Sequence, residues 1–124
     1  MPALGYAQAV QIRAARLGFD WEDAKDVIDK VSEEVEEIRS ASTPDQREAE
    51  IGDLLFSIVN FSRWHNIDAE GALRKANARF STRFSHMERS ASGQARNFSD
   101  MTMDEKEDLW SQAKTETGEN SKSV

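Results

Sequence analysis

The spacing of apolar residues constrains the fold of this chain most strongly, because it follows the period of an α-helix through most of the sequence. Prolines stand only at positions 2 and 44, and no segment alternates apolar and polar residues as a half-buried strand does. The clearest stripe of helical period consists of Ala24, Val27, Ile28, Val31, Val35 and Ile38. The sequence therefore predicts an all-α fold.

Capping residues and glycines divide the chain into five predicted helices. Their approximate ranges are 6–17, 22–40, 44–66, 69–90 and 102–117. Gly18 suits the left-handed position after the first helix, and Asp20 is predicted to cap the second. Thr43 and Thr102 are typical of the residues that begin helices. We expect a four-helix-bundle-like core with an additional C-terminal helix.

Length, charge and cysteine content bound the class of protein. A chain of 124 residues suits a single domain, predicted over residues 1–117, and the polar segment 118–124 is predicted to be a disordered tail. The lack of Cys favours a reducing, cytoplasmic location. A net charge of −7 argues against nucleic-acid and membrane-surface partners, and no apolar run reaches the roughly 20 residues of a spanning helix.

Two acidic clusters, at 33–37 and 50–53, lie in the second and third predicted helices. A helical projection places Glu34 and Glu37 on one flank of the second helix, and Glu50 and Asp53 on one flank of the third. Carboxylates gathered at a partly buried flank are unfavourable unless a cation or raised pKa values relieve their repulsion, and a divalent cation is the simpler remedy. Such oxygen ligands suit Mg²⁺ bound to a phosphorylated substrate. A solvated acidic surface is the competing interpretation.

Cationic and aromatic residues complete a pattern that describes a nucleoside triphosphate site. Lys75, Arg79 and Arg83 recur every four residues on the fourth predicted helix, and Trp110 and Lys114 are four apart on the last. Such cations can bind phosphate oxygens, and an aromatic ring can contact a base. Ordinary surface ion pairs, and a tryptophan that belongs to the core, are the competing interpretations.

Five segments of the chain, taken in order, carry a resemblance to a known family. They are Gly18-Phe19-Asp20-Trp21, Lys30-Val31-x-Glu33-Glu34-x-x-Glu37, Glu50-x-Gly52-Asp53-Leu54-Leu55-Phe56, Val59-Asn60 and Lys75-Ala76-Asn77-x-x-Phe80-x-x-Arg83-Phe84. Together they resemble MazG, a family of nucleoside triphosphate pyrophosphohydrolases. The resemblance implies a dimeric, all-α NTP pyrophosphatase fold with Mg²⁺, for which Mn²⁺ can substitute, at the acidic helices. It also implies hydrolysis of NTPs or dNTPs to the monophosphate and pyrophosphate.

The resemblance also implies roles for individual residues. The metal ligands of the family fall on Glu34, Glu37, Glu50 and Asp53. Its substrate contacts fall on Lys30, Lys75, Arg79, Trp110 and Lys114, and we add Asn60 as a predicted contact to base or sugar. Glu33 and Glu34 are the two candidates for the general base.

Two other functions are compatible with the same residues. One alternative is a pyrophosphatase of the same superfamily that prefers dUTP or dCTP. Another is a non-catalytic helical dimerisation module, whose acidic faces serve only solubility. Phe56 lies away from both the apolar face and the acidic flank of the third predicted helix, which indicates burial against a second subunit. A homodimer is therefore expected.

Overall fold

A computed structural model describes residues 2–118 of the protein and shows an all-α chain, as predicted. The helices are α1 (Ala3–Arg16), α2 (Ala24–Ser40), α3 (Pro44–Trp64), α4 (Ala69–Gly93) and α5 (Met103–Glu116), with a short 3₁₀ helix over Phe98–Asp100. The described residues contain no strand. Of the tail predicted to be disordered, residues 119–124 lie outside the described part of the chain.

Most of the predicted helix ends are confirmed by their hydrogen bonds. After α1, Gly18 has φ +89°, and the amides of Gly18 and Phe19 donate to the carbonyls of Ala15 and Ala14 at 3.0 Å, which is a Schellman motif. Capping boxes begin α3 at Thr43 and α5 at Thr102.

The predicted cap of α2 was wrong. Asp23, not Asp20, accepts the capping hydrogen bond, which comes from the amide of Asp26. The carboxylate of Asp20 instead accepts hydrogen bonds from the side chains of Arg63 and Trp64 near the end of α3. A charged guanidinium is a stronger partner for a carboxylate than a backbone amide is, so Asp20 is held there.

The described helices form two compact units, one up to Leu73 and the other from Arg74 onward. In the first unit, α3 packs against both α1 and α2, which makes it the central helix of that unit. Val27 of α2 and Val59 of α3 are each only 1% exposed. The prediction of a single domain over residues 1–117 stays a prediction.

The second unit has its own apolar core between the later part of α4 and α5. The buried members are Met87, Ala91, Met101, Leu109 and Ala113, and Phe84, Phe98 and Trp110 pack against them. The 3₁₀ helix, which the sequence pattern did not predict, places Phe98 edge-on to Phe84 with ring centroids 5.4 Å apart. A segment expected to be only a loop therefore contributes to the core.

Several residues of the predicted apolar stripes are not buried by the chain itself. In α2, Val27 is buried, but Ile28 is 42% exposed. In α3, Ile51 and Leu55 are each 48% exposed. Phe56, predicted to meet a second subunit, is 49% exposed. Among residues 2–118, no helix combines the length and the apolar character needed to cross a membrane.

Candidate metal and nucleotide site

Three of the four predicted metal ligands come together at the packed faces of α2 and α3. One carboxylate oxygen from each of Glu34, Glu50 and Asp53 lies within 4.8 Å of the other two. Glu50 and Asp53 are three apart on α3 and so share a face, and the packing of α2 against α3 brings Glu34 to them. The group is graded in exposure, because Glu34 is buried, Glu50 is half-buried and Asp53 is exposed.

Lys30 holds the buried member of this group. Its Nζ lies 2.9 Å from Glu34 Oε1, one turn along α2. This hydrogen bond is the main cause that raises the pKa of Lys30 above its usual range. The other oxygen, Glu34 Oε2, is buried and accepts no hydrogen bond within the described part of the chain. A buried carboxylate oxygen without a partner is costly and is well suited to a cation.

Glu50 experiences the repulsion within the group. Desolvation is the largest cause that raises its pKa, and the negative charges of Glu37, Glu34 and Asp53 raise it further. Glu37 does not belong to the group of three oxygens described above, but its charge acts on Glu50. The carboxylates therefore share one electrostatic environment in which a bound cation would be favourable.

The two candidates for the general base differ in burial. The side chain of Glu34 is 7% exposed, whereas that of Glu33 is 59% exposed. Glu33 Oε1 lies 3.5 Å from Lys30 Nζ, so both carboxylates face the same ammonium group. Their roles stay predictions, and the difference in exposure gives a means to separate them experimentally.

Asn60 is buried in the first unit and is fixed by Arg63. Its Oδ1 accepts from Arg63 Nε at 3.1 Å and from Nη2 at 2.5 Å. The same guanidinium donates to both oxygens of Asp20, at 3.1 and 2.6 Å, and this hydrogen bond lowers the pKa of Asp20. The loop between α1 and α2 is thereby fastened to the end of α3.

The remaining predicted substrate contacts belong to the second unit. Lys75 and Arg79 are exposed on α4, and Lys114 is half-buried on α5. Trp110 packs against Phe80 with ring centroids 5.7 Å apart, and Arg83 Cζ lies 5.3 Å from its ring centroid. The roles of Lys75, Arg79, Trp110 and Lys114 as substrate contacts stay predictions.

Arg83 departs from the cationic row to which the sequence assigned it. It is fully buried, at 0% exposure, and its guanidinium stacks against Trp110. The spacing of four residues from Arg79 did not predict this burial, because helical spacing does not show which side chains a neighbouring helix covers. The exposed row on α4 therefore contains Lys75 and Arg79 but not Arg83.

Two features near the acidic group were not recognised from the sequence. The pairing of Asp20 with Arg63 joins residues 43 positions apart, and no local pattern signals it. Gln11 of α1 is 6% exposed, and its Nε2 donates to the carbonyl of Phe56 at 2.9 Å. α1 also contains Gln8, so the residue type by itself did not indicate that Gln11 would be buried.

Comparison with known proteins shows similarity to nucleoside triphosphate pyrophosphohydrolases. No protein-family model matches the chain. The nucleoside triphosphate pyrophosphohydrolase/pyrophosphatase MazG of Thermotoga maritima is 41% identical over 114 residues, which cover 92% of this chain and 45% of that protein. The nucleoside triphosphate pyrophosphohydrolase of Escherichia coli K12 is 40% identical over 119 residues, with the same two coverages of 92% and 45%.

The chain thus spans a little under half the length of the curated relatives that it matches. The similarity nevertheless extends over nearly all of this chain, so it includes far more than the short acidic motifs. The resemblance seen in the sequence is confirmed, and by sequence this chain is related to the MazG nucleoside triphosphate pyrophosphohydrolases.

Proposed function

We propose that this protein hydrolyses nucleoside triphosphates, NTPs or dNTPs, to nucleoside monophosphate and pyrophosphate in a reaction that depends on Mg²⁺. The observation that carries the proposal is the convergence of Glu34, Glu50 and Asp53 oxygens within 4.8 Å of one another. The names of the relatives support the reaction class. Because the chain spans less than half of those proteins, the activity is proposed for it on the strength of its own residues as well.

The chemistry of the acidic group fits a hard divalent cation. All of its donors are carboxylate oxygens, which Mg²⁺ prefers and for which Mn²⁺ can substitute. The unpartnered Glu34 Oε2 and the raised pKa of Glu50 both indicate negative charge that the protein alone leaves uncompensated. We propose Glu34, Glu50 and Asp53 as ligands and Glu37 as the fourth.

The residues around this group suit attack of water on the α-phosphorus, with pyrophosphate as the leaving group. A divalent cation bound here would offset phosphate charge and make a water molecule a stronger nucleophile. Lys30 holds the Glu34 carboxylate in place, since its ammonium lies 2.9 Å away. Of the two base candidates, we favour Glu33, because its side chain is 59% exposed and its contact with Lys30 is longer, at 3.5 Å. Glu34 is buried, lies 2.9 Å from Lys30 and is grouped with Glu50.

The decisive experiment is a pyrophosphate-release screen over the common NTPs and dNTPs, in Mg²⁺ and in EDTA. We expect Glu37→Ala and Asp53→Ala to lower kcat/KM by at least about a hundredfold, because metal affinity depends strongly on each ligand. Glu36→Ala is the matched control, since its side chain is 71% exposed on the same helix as Glu37. Helical circular dichroism verifies that each variant folds.

The same screen separates the competing functions. Retained activity in both ligand variants would exclude the proposed ligand set. Turnover restricted to dUTP or dCTP would assign the narrower pyrophosphatase activity. If the wild type turned over no nucleotide and its melting temperature did not respond to Mg²⁺, the chain would be a non-catalytic helical module.

We also propose that the protein acts as a homodimer. The apolar side chains of Ile28, Ile51, Leu55 and Ile58 are between 42% and 48% exposed in the single chain. A second copy is the partner that we expect to cover them, because a chain of this size buries a limited core by itself.

The cytoplasm, favoured by the lack of Cys, is the location that we propose for this activity.

A further inference from the structure

A cavity of about 460 Å³ lies within the first unit, beside the acidic group. Phe19 and Trp21 line it from the loop after α1, and Phe56 lines it from α3. Phe19 is 84% exposed and Trp21 42% exposed, although large aromatic side chains usually bury most of their surface. The cavity therefore presents aromatic surface that is accessible to a planar ligand.

Lys30 connects the cavity to the acidic group. It is one of the residues that line the cavity, and its Nζ contacts Glu34 at 2.9 Å. A molecule whose phosphates lie at Glu34, Glu50 and Asp53 can thus extend into the cavity without leaving the first unit. The site therefore suits a ligand with one anionic end, which lies near Lys30 and the acidic group, and one planar, largely apolar end, which lies in the cavity.

Gln11 provides the cavity wall with a hydrogen-bond acceptor of fixed orientation. Its Nε2 donates to the Phe56 carbonyl at 2.9 Å, so the amide cannot flip without placing two oxygens in contact. Its Oε1 is buried and accepts no hydrogen bond among the described residues. Most buried amide oxygens in proteins have a partner, so this one indicates a group that is supplied from elsewhere.

Asn60 provides a donor that is fixed in the same manner. Arg63 only donates hydrogen bonds, so the Asn60 atom that faces it at 2.5 Å must be the oxygen. The NH₂ group of Asn60 consequently lies on the opposite edge of the amide. Gln11 and Asn60 both line the cavity. The cavity therefore offers one hydrogen-bond acceptor and one donor, each of fixed orientation, beside aromatic rings.

We infer that this cavity binds the nucleobase of the substrate, and that Gln11 and Asn60 read its edge. Gln11 Oε1 accepts from a base N–H, the Asn60 NH₂ donates to a ring nitrogen or carbonyl of the base, and Phe19 or Trp21 stacks on its face. The inference rests on the proposed function for the identity of the ligand. It makes Gln11 a specificity-determining residue of the proposed reaction.

The test compares two ligands that differ only in the base. A nucleoside 5′-monophosphate is titrated beside ribose 5-phosphate by isothermal calorimetry in Mg²⁺. It is the monophosphate of the nucleotide that the screen shows to be preferred or, if none is turned over, each common nucleoside monophosphate in turn. We expect the wild type to bind the monophosphate more tightly. Gln11→Leu should lose about 5- to 10-fold in affinity for the monophosphate, the usual effect of one hydrogen bond, with ribose 5-phosphate unchanged.

Gln8→Leu is the matched control on the same helix. Its amide is satisfied at both ends, by the Ile67 carbonyl and the Ala69 amide at 2.9 Å, and it does not line the cavity. We expect this variant to bind both ligands as the wild type does. If Gln11→Leu does not fold, Asn60→Asp replaces the NH₂ donor by an acceptor oxygen while keeping the oxygen that faces Arg63. It also adds a negative charge, whose effect on the phosphate is measured with ribose 5-phosphate, and it should weaken binding of the monophosphate more than that of ribose 5-phosphate.

The outcomes separate this inference from the proposed function. If Gln11→Leu and Asn60→Asp bind the monophosphate like the wild type, or lose affinity for both ligands equally, the base-reading role is overturned. Wild-type pyrophosphate release would then still stand on its own. If the wild type releases no pyrophosphate yet binds the monophosphate through Gln11, the proposed reaction fails and the base-binding cavity remains.

Discussion

Lys30 and Glu34 form an ion pair one turn apart on α2, with Nζ 2.9 Å from Oε1, and the two side chains are 35% and 7% exposed. The carboxylate end of the pair is therefore the buried one. Glu50 and Asp53 approach the same carboxylate from α3. Lys30 thus offsets part of the negative charge at a position where little of the Glu34 side chain is in contact with water.

Replacement of Lys30 by Met should destabilise the metal-free protein by about 1–3 kcal/mol, because it leaves the buried Glu34 charge without its ammonium partner. Urea unfolding followed by circular dichroism in EDTA measures this difference. Added Mg²⁺ should narrow it, since a cation at the acidic group compensates the same charge. Lys25→Met, at an exposed position of α2, is the control, and an equal loss in that variant would contradict the explanation.

Glu50→Gln should stabilise the protein when no divalent cation is present and should reduce the stabilisation that a divalent cation provides. The pKa of Glu50 is raised above 4.5, so the folded state binds its proton more tightly than the unfolded chain does. Its ionised form therefore disfavours folding at neutral pH. We expect Glu50→Gln to melt at a higher temperature than the wild type in EDTA, and to gain less from Mg²⁺.

Thermal melting of both proteins at pH 7, in EDTA and in Mg²⁺, checks this expectation. Glu36→Gln, which changes an exposed charge of α2, should leave both melting temperatures near those of the wild type. A lower melting temperature of Glu50→Gln in EDTA would show that ionised Glu50 stabilises the metal-free fold, and it would contradict the expectation drawn from its raised pKa.

Arg63→Ala should release the loop between α1 and α2. The change removes the guanidinium that bonds both Asp20 oxygens and Asn60, and we expect a loss of about 2–3 kcal/mol in the free energy of unfolding. Chymotrypsin should then cut faster after Phe19, which is already 84% exposed. Arg39→Ala, whose side chain is 75% exposed, should leave the rate of cleavage unchanged.

Glu105 should contribute to stability in a defined range of pH. The hydrogen bond from Arg96 is the main cause that lowers the pKa of Glu105 from 4.5 to about 2. A lowered carboxyl pKa means that the stabilisation is complete above pH 4.5 and is lost as the pH falls toward 2. Glu105→Gln keeps a side chain suited to the capping box but abolishes the ion pair.

We therefore expect the wild type to be more stable than Glu105→Gln in urea at pH 6, with the difference shrinking between pH 4.5 and 2. Glu107→Gln, an exposed substitution on α5, should show no such dependence. A difference that did not change over that range would mean that Glu105 acts through the cap alone.

Leu55→Glu should disrupt the proposed homodimer while the helices remain. The wild-type residue is 48% exposed on α3, so a charge there costs little in the single chain and much in an apolar interface. Analytical ultracentrifugation at micromolar concentration should give a dimer for the wild type and a monomer for the variant. A monomeric wild type would contradict the proposal.

The sequence predicted the helices well because their signals are local. Gly18 after α1, Thr43 before α3 and Thr102 before α5 act on the nearest few backbone groups, and each is found in its predicted role. The position of Glu50 and Asp53 on the same face of α3 is also a local property, since it follows from their spacing of three residues. The predicted cap of α2 was wrong because the helix begins at Ala24, directly after Asp23, while Asp20 binds the distant Arg63.

The amino-acid sequence by itself determined the all-α class, the helix starts and the acidic residues that share a face, since helical period and capping act within a few residues of each other. Only the tertiary structure decided that Glu34 meets Glu50 and Asp53, that Arg83 is buried, and that Gln11 is fixed beside a cavity. These relations depend on how one helix packs against another. Packing is set by the fit of many side chains at once, which no local spacing encodes.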